Sequence, residues 1–294
     1  MKYQVNESDI RLDNYLAKEM DVSRSSISKM IKNGEVLVNG KILKGGYLVK
    51  IGDKIEVDHE EEITDVLPEK MELDIVYEDD DVIVVNKANG IVVHPAPGNY
   101  TGTLVNGLLY HSKLSSNNGE FRPGIVHRID AYTTGLLMIA KNNKAHEVLA
   151  KQLEEKTTYR KYQALVWGVI KNDTGTIDAP IGRSIHDRKK MAINPKGKEA
   201  VTHFRVLKRF KEATLVELKL ETGRTHQIRV HMDYIGHPVV NDPVYGKRRL
   251  IDDSGQCLHA KELGFVHPTT GKYMQFDSLL PDKFLKIMSY FEEA

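Results

Sequence analysis

Apolar residues recur at helical spacing at Ile10, Leu12, Leu16 and Met20, and again at Ile27, Met30 and Ile31 within 23–33, which predicts two short amphipathic helices. Ser23 is placed to cap the second. Asn33-Gly34 ends it, and Val36, Val38, Ile42 and Leu43 alternate around Asn39-Gly40, the pattern of a hairpin with a tight turn. Gly52-Asp53 makes a further turn before Ile55 and Val57. From residue 72 the period changes. Short β-branched runs at 73–77, 82–86 and 91–94 predict strands, as do 136–140, 160–166, 202–207, 214–220 and 226–231. Helices are expected over 103–111, through Leu104, Leu108 and Leu109, and over 143–155, through Ala145, Val148, Leu149 and Leu153. Residues 267–284 read as a closing strand pair and the start of a final helix. Many strands interrupted by a few helices, without strict alternation, predict an α+β fold: a mixed, largely antiparallel sheet domain preceded by a small α/β domain.

Composition fits this division. A chain of 294 residues corresponds to about two domains. With 40% hydrophobic and 28% charged residues it has the profile of a soluble globular protein. Its apolar runs are too short to span a bilayer, the first ten residues lack the hydrophobic core of a signal peptide, and the single cysteine, Cys257, has no internal partner. A cytoplasmic monomer with no membrane contact is expected.

Net charge is +1, which by itself speaks against a polyanionic partner. The segments differ sharply. Residues 1–57 carry 10 basic and 8 acidic side chains, residues 58–81 carry 1 and 12, and residues 82–294 carry 31 and 21. An acidic joint therefore masks a basic body, and local fields decide what a surface attracts. RNA becomes a candidate partner. The acidic run reads as a solvated linker, giving expected boundaries of 1–60, 61–71 and 72–294. In the small domain Arg24, Lys29 and Lys32 lie on the polar face of the second helix, a platform for phosphates.

Candidate chemistry concentrates in 124–141, GIVHRIDAYTTGLLMIAK. The turn-forming Thr-Thr-Gly places Asp130 at the lip of a sheet. A carboxylate there is partly desolvated and requires a cation to stay ionised, which makes it a candidate nucleophile or base. The alternative is a local ion pair that ties a loop. Residues 221–246 add Arg224, Arg229 and three histidines. Arg229, expected on a strand between Ile228 and Val230, is costly unless it meets an anion, and Asp130 is its natural counter-ion. His226, His231 and His237 suggest a metal centre, but on a strand His226 and His231 face opposite sides, so no metal is expected.

Two resemblances are carried by these residues. RLDNYLAKEM, SRSSISKMIKNGEVLVNG and IGDKIEV resemble the alpha-L RNA-binding module named after a small-subunit ribosomal protein. GIVHRID with TTGLLMIAK, the segment GIVVHPAPGN, YRKYQALVWG and TGRTHQIRVH with GHPVVNDPVYG resemble the A-class pseudouridine synthases of the large ribosomal subunit, in particular the D type, which also carries an N-terminal alpha-L module. The second resemblance implies a catalytic domain of pseudouridine synthase type that isomerises uridine in RNA, most directly large-subunit ribosomal RNA, without a cofactor. It implies catalytic roles for Asp130, Tyr162 and Arg229, with Arg224 the other possible partner of Asp130. It implies RNA or substrate contacts from His127, Arg128, Arg224 and Lys161, the last standing one place from the family's lysine. Ala131, Tyr132 and Ala88-Asn89 depart from the usual family text. A catalytically silent RNA-binding factor is the reading from another class.

Overall fold

A computed structural model describes all residues except 21–23, 59–65, 97–98, 118, 120–121, 186, 188–189, 247–249 and 293–294. The chain divides into two compact units, Met1–Ile63 and Thr64–Ala294.

The smaller unit contains β1 (Lys2–Gln4), α1 (Leu12–Glu19), α2 (Arg24–Lys32), β2 (Val36–Val38) and β3 (Lys54–Val57). Its sheet is antiparallel, in the order β1-β3-β2. The helical stripe Leu12, Leu16, Ile27, Met30 and Ile31 is buried together with Val36, Val38 and Ile55. Asn39 and Gly40 take positive φ values of 52° and 75° and make the expected turn, yet the hairpin stops there. Val38 forms one bridge with Lys41, and β2 pairs instead with β3, Val36 opposite Val57 and Val38 opposite Ile55. Ile55 and Val57 bring two inward side chains to that edge, whereas Ile42 is 63% exposed and Gly45-Gly46 follows, which disfavours a strand. Ser23, the expected cap, and Glu60, Glu61 and Glu62 of the acidic joint lie outside the described residues.

The larger unit contains β4 (Ile75–Glu78), β5 (Val82–Lys87), α3 (Leu104–His111), β6 (Thr134–Ala140), α4 (Asn143–Glu154), β7 (Tyr159–Trp167), β8 (Thr174–Asp178), β9 (Ile181–Arg183), β10 (Met191–Ile193), β11 (Val201–Arg209), β12 (Ala213–Leu220), α5 (Gln227–Tyr234), β13 (Leu258–Val266), β14 (Tyr273–Asp277) and α6 (Asp282–Tyr290). The main sheet runs β4-β5-β6-β13-β7-β12-β11-β8, with β14 added to β13. Only the β13–β6 pair is parallel among the described ladders. Val82, Ile83, Val84 and Val85 are all buried because helices cover both faces. Ile83 and Val85 pack with Leu104 and Leu108 of α3 and Ile228 and Met232 of α5. Val82 and Val84 pack with Ala145 and Leu149 of α4. Thr103 starts α3 with a reciprocal cap to Asn106.

Four expectations change. Residues 226–231 form no strand: α5 occupies them, because Ile228, Met232 and Ile235 at helical spacing all pack into the same core cluster. Residues 91–94 also form no strand; the carbonyls of Val92 and Val93 accept the first two amides of α3, from Leu104 and Val105, at 2.9 and 3.0 Å. Thr134 and Gly135 open β6 rather than a turn. Gly135 has φ 108°, and a Cβ there would lie 2.3 Å from the Ala260 carbonyl oxygen, so its hydrogen side chain permits the close β6–β13 contact. The acidic run is not solvated throughout. The Glu69 amide donates to the Asn106 carbonyl (2.9 Å) and the Asn106 side chain donates to the Leu67 carbonyl (2.8 Å), while the strand expected at 73–77 forms as β4.

Candidate active site

The loop between the Ile125–Ile139 bridge and β6 carries Asp130 to the edge of a pocket of about 400 Å³. Tyr162 on β7, Arg229 on α5, and Gly223, Arg224 and residues 226–228 line the same pocket. Arg229 Nη1 donates to Asp130 Oδ2 at 2.8 Å, while Arg224 turns its Nε to the Glu199 carbonyl at 2.8 Å. The geometry therefore pairs Asp130 with Arg229, on a helix rather than the expected strand.

Arg229 is aimed by a residue that sequence reasoning did not single out. Its Nε and Nη2 donate to Asp242 Oδ2 and Oδ1 at 2.7 and 2.9 Å, a two-pronged pair in which the Asp242 side chain is fully buried. Asp242 Oδ1 also accepts the amides of Val244 and Tyr245 at 2.8 and 3.0 Å. Burial opposes the charge on both groups. The mutual hydrogen bonds and opposite charges outweigh it, holding Arg229 above its ordinary range and Asp242 below the usual carboxylate range. Tyr245 stacks beneath the guanidinium, 5.0 Å from centroid to Cζ. Its hydroxyl accepts the Met191 amide at 2.9 Å and lies 2.8 Å from His226 Nδ1. His226 Nε2 is 3.8 Å from Asp130 Oδ1. The His226 backbone is left-handed, with φ 57°, a strained conformation held where α5 begins.

A second support lies behind the aspartate. Lys87, 2% exposed, donates to the carbonyls of Ala88, Ile91 and Ala131 at 2.9, 2.9 and 2.7 Å. Burial pushes its ammonium down to about 7, with Asp130 acting the other way. The three acceptors match the three protons of the charged form and tie the residue after Asp130 to the end of β5.

The remaining expected residues divide. Tyr162 is buried with its ring on the pocket wall; burial pushes its phenol up, the Arg160 charge lowers it and Asp130 raises it. Arg128 is exposed, 3.5 Å from His94 Nε2. His127 Nε2 accepts the Met138 amide at 3.1 Å, so the ring is neutral and braces β6. Burial, aided by Arg160, lowers its pKa to about 3. Lys161 lies on the far face of β7, bound to Glu217 and Glu262 at 3.2 and 2.9 Å, and does not line the pocket. In the smaller unit Lys29 and Lys32 are exposed, and Arg24 is 3.5 Å from Asp13.

The three histidines of 226–237 do not converge, for a reason other than strand parity. His231 bonds Thr202 Oγ1 and the Ala179 carbonyl, and His237 bonds the Trp167 carbonyl. Asp79, Asp81 and His267 bring three potential ligand atoms within 4.8 Å. His267 Nδ1 accepts the amides of Thr269 and Thr270, so Nε2 carries the proton given to Asp79, and neither ring nitrogen offers a lone pair to a cation. Among the described residues no helix is long and apolar enough to cross a membrane.

Residues 81–234 match the family model described as RNA pseudouridylate synthase, and residues 10–55 match the S4 domain. The chain is 57% identical to an uncharacterized RNA pseudouridine synthase of Bacillus subtilis (strain 168), over 95% of this chain and 93% of the relative. It is 45% identical to the ribosomal large subunit pseudouridine synthase D of Pseudomonas aeruginosa, over 95% and 91%. Among solved structures, human RNA pseudouridylate synthase domain containing 1 superposes with a TM-score of 0.58 at 25% identity, covering 80% of this chain and 98% of the human one.

Proposed function

The chain belongs to the RNA pseudouridylate synthase family and isomerises uridine to pseudouridine in RNA, and from that premise we propose that it acts on large-subunit ribosomal RNA with Asp130 as nucleophile. The observation that carries the site assignment is the Asp130–Arg229 pair at 2.8 Å on the wall of the pocket lined by Tyr162. The relatives named for the large ribosomal subunit support the substrate.

The reaction breaks the bond from uracil N1 to the ribose, turns the base and rejoins it through C5. No atom is lost and no electron leaves, so neither ATP nor a redox group is required. Asp130 supplies the attacking oxygen, on the sugar or on the base ring. Arg229, fixed by Asp242, keeps that carboxylate ionised and oriented. A raised phenol keeps Tyr162 protonated and apolar enough for its ring to stack on the base. The uridine must leave its stack to reach this pocket. Arg128, exposed beside the nucleophile, and Arg224 meet the RNA around it, while Arg24, Lys29 and Lys32 contact phosphates from the S4 domain. On this reading the protein works in the cytoplasm as a monomer.

Asp130→Asn tests the assignment. The wild-type protein releases tritium from carbon-5-labelled uridine in ribosomal RNA, and the variant loses that release while keeping its RNA affinity. Continued release by the variant removes Asp130 from the chemistry, and no release by the wild type on any large-subunit transcript removes the substrate. Mapping pseudouridine in ribosomal RNA with and without the gene identifies the modified positions.

A further inference from the structure

The pocket holds a second buried arginine, Arg160, to which neither the motif reading nor the Asp130 network gives a role. Side chains on a strand alternate, so Arg160 shares the pocket face of β7 with Tyr162, about 6.6 Å away along the chain, whereas Lys161 faces Glu217 and Glu262. Arg160 is 7% exposed and lines the pocket. Its buried Nε has no hydrogen-bond partner, and no ion pair to it occurs among the described residues. The two carboxylates on the pocket wall leave it alone: Asp130 is bound to Arg229, and Glu154 is exposed.

A guanidinium buried without an anion is a net cost to the fold, yet the fold makes room for it. A Cβ at residue 223 would lie 2.8 Å from Arg160 Nη1. Gly223 does not have the positive φ that would itself call for glycine. What glycine provides in Thr222-Gly223-Arg224 is space for the head of Arg160.

We propose that Arg160 is a catalytic residue that holds a carbonyl oxygen of the target uracil and stabilises the negative charge the ring carries during the reaction. This rests on the reaction assigned above. When the N1–C1′ bond breaks, its electron pair leaves on the ring, spread over N1 and the carbonyl oxygens, while the Asp130 carboxylate takes up C1′. When C5 attacks C1′, Asp130 departs as the carboxylate, C5 gives its proton to solvent and N1 takes one from it. If Asp130 adds to the ring instead, the displaced pair resides on the carbonyl conjugated with the attacked carbon. In both routes the charge appears on a uracil oxygen, and a fixed donor in a water-poor pocket is most effective there. Depth selects the base over the backbone. Arg128 and Arg224, at greater exposure, are placed for phosphates, whereas Arg160 is reached only by a group that enters the pocket.

The test uses the full-length protein, with wild-type tritium release as the control that keeps failure of the parent reading separate. Arg160→Met removes the charge at similar volume. Its single-turnover rate at saturating enzyme is expected to fall by about 10² to 10³, with RNA affinity within about threefold and a Tm unchanged or raised, because the uncompensated charge is gone. Arg160→Lys recovers part of the rate. Arg160→Gln, a shorter neutral side chain, shows the same loss and decides the matter if Arg160→Met does not fold. A wild-type rate in whichever of Arg160→Met and Arg160→Gln folds overturns the proposal. So does an intact saturated rate with RNA affinity weakened tenfold or more, which would make Arg160 a phosphate contact.

Discussion

At the scale of single residues, the site is a chain of dependencies: Asp130 is held by Arg229, and Arg229 by Asp242. Removing the last member leaves a buried cation whose remaining hydrogen-bond partner among the described residues is Asp130. Asp242→Ala is therefore expected to cost about 3 kcal/mol of stability and to lower the rate of tritium release by at least about tenfold, since a shift of one ångström at the reacting group has effects of this size. Urea unfolding and the release assay check both, and an unchanged midpoint with an unchanged rate would show that Asp242 does not position Arg229. Asp130 and Arg229 were legible because a charged residue among apolar neighbours needs an explanation. Asp242 was not, because Asn241-Asp242-Pro243 reads as a solvent turn. Its carboxylate points inward only once the amides of Val244 and Tyr245 are folded against it. Arg160 was within reach of the sequence: period-2 counting back from Tyr162 lands on it and passes over Lys161.

Among elements, β6 and α5 show what local pattern decides and what it leaves to packing. The run 136–140 reads as a strand and is one, but the beginning of β6 is set by its neighbour. Gly135→Ala would place a methyl 2.3 Å from the Ala260 carbonyl oxygen at a φ of 108°, combining a clash with backbone strain. A loss of about 3 kcal/mol or more is expected, read as a lower denaturant midpoint; a wild-type midpoint would mean that β6 and β13 separate easily. For α5, His-Gln-Ile-Arg-Val-His alternates like a strand over six residues. Only the longer window with Met232 and Ile235 shows the helical stripe. β13 was missed because its buried residues, 258–260 and 263–265, are broken by Lys261-Glu262, so it carries neither a clean alternation nor a continuous apolar run.

Across the whole molecule, charge and protonation act on stability more than on shape. The acidic run is in part a folded turn: Asp79 accepts the amides of Asp81 and Val82 and the Tyr77 hydroxyl. Burial lowers the pKa of His94, His127 and His259 to about 4, 3 and 4. Unfolded, each binds its proton near pH 6.5, so between that value and the folded pKa the unfolded chain holds more protons. Their contribution is complete above about pH 6.5 and is lost as pH falls toward 4, with a slope approaching about 1.4 kcal/mol per pH unit for each histidine. Chemical denaturation at pH 7, 6 and 5 should show the decline, and a flat profile would refute it. The order of the sheet has one more consequence, for the making of the protein. Residues 258–266 fill the slot between β6 and β7, so a nascent chain that already contains Asp130, Tyr162, Arg229 and Asp242 still lacks the strand that joins the two halves of the sheet. Two unpaired edges persist until almost the whole chain has been synthesised, so Asp130 beside β6 and Tyr162 on β7 stay on separate halves of the sheet until its last long strand arrives.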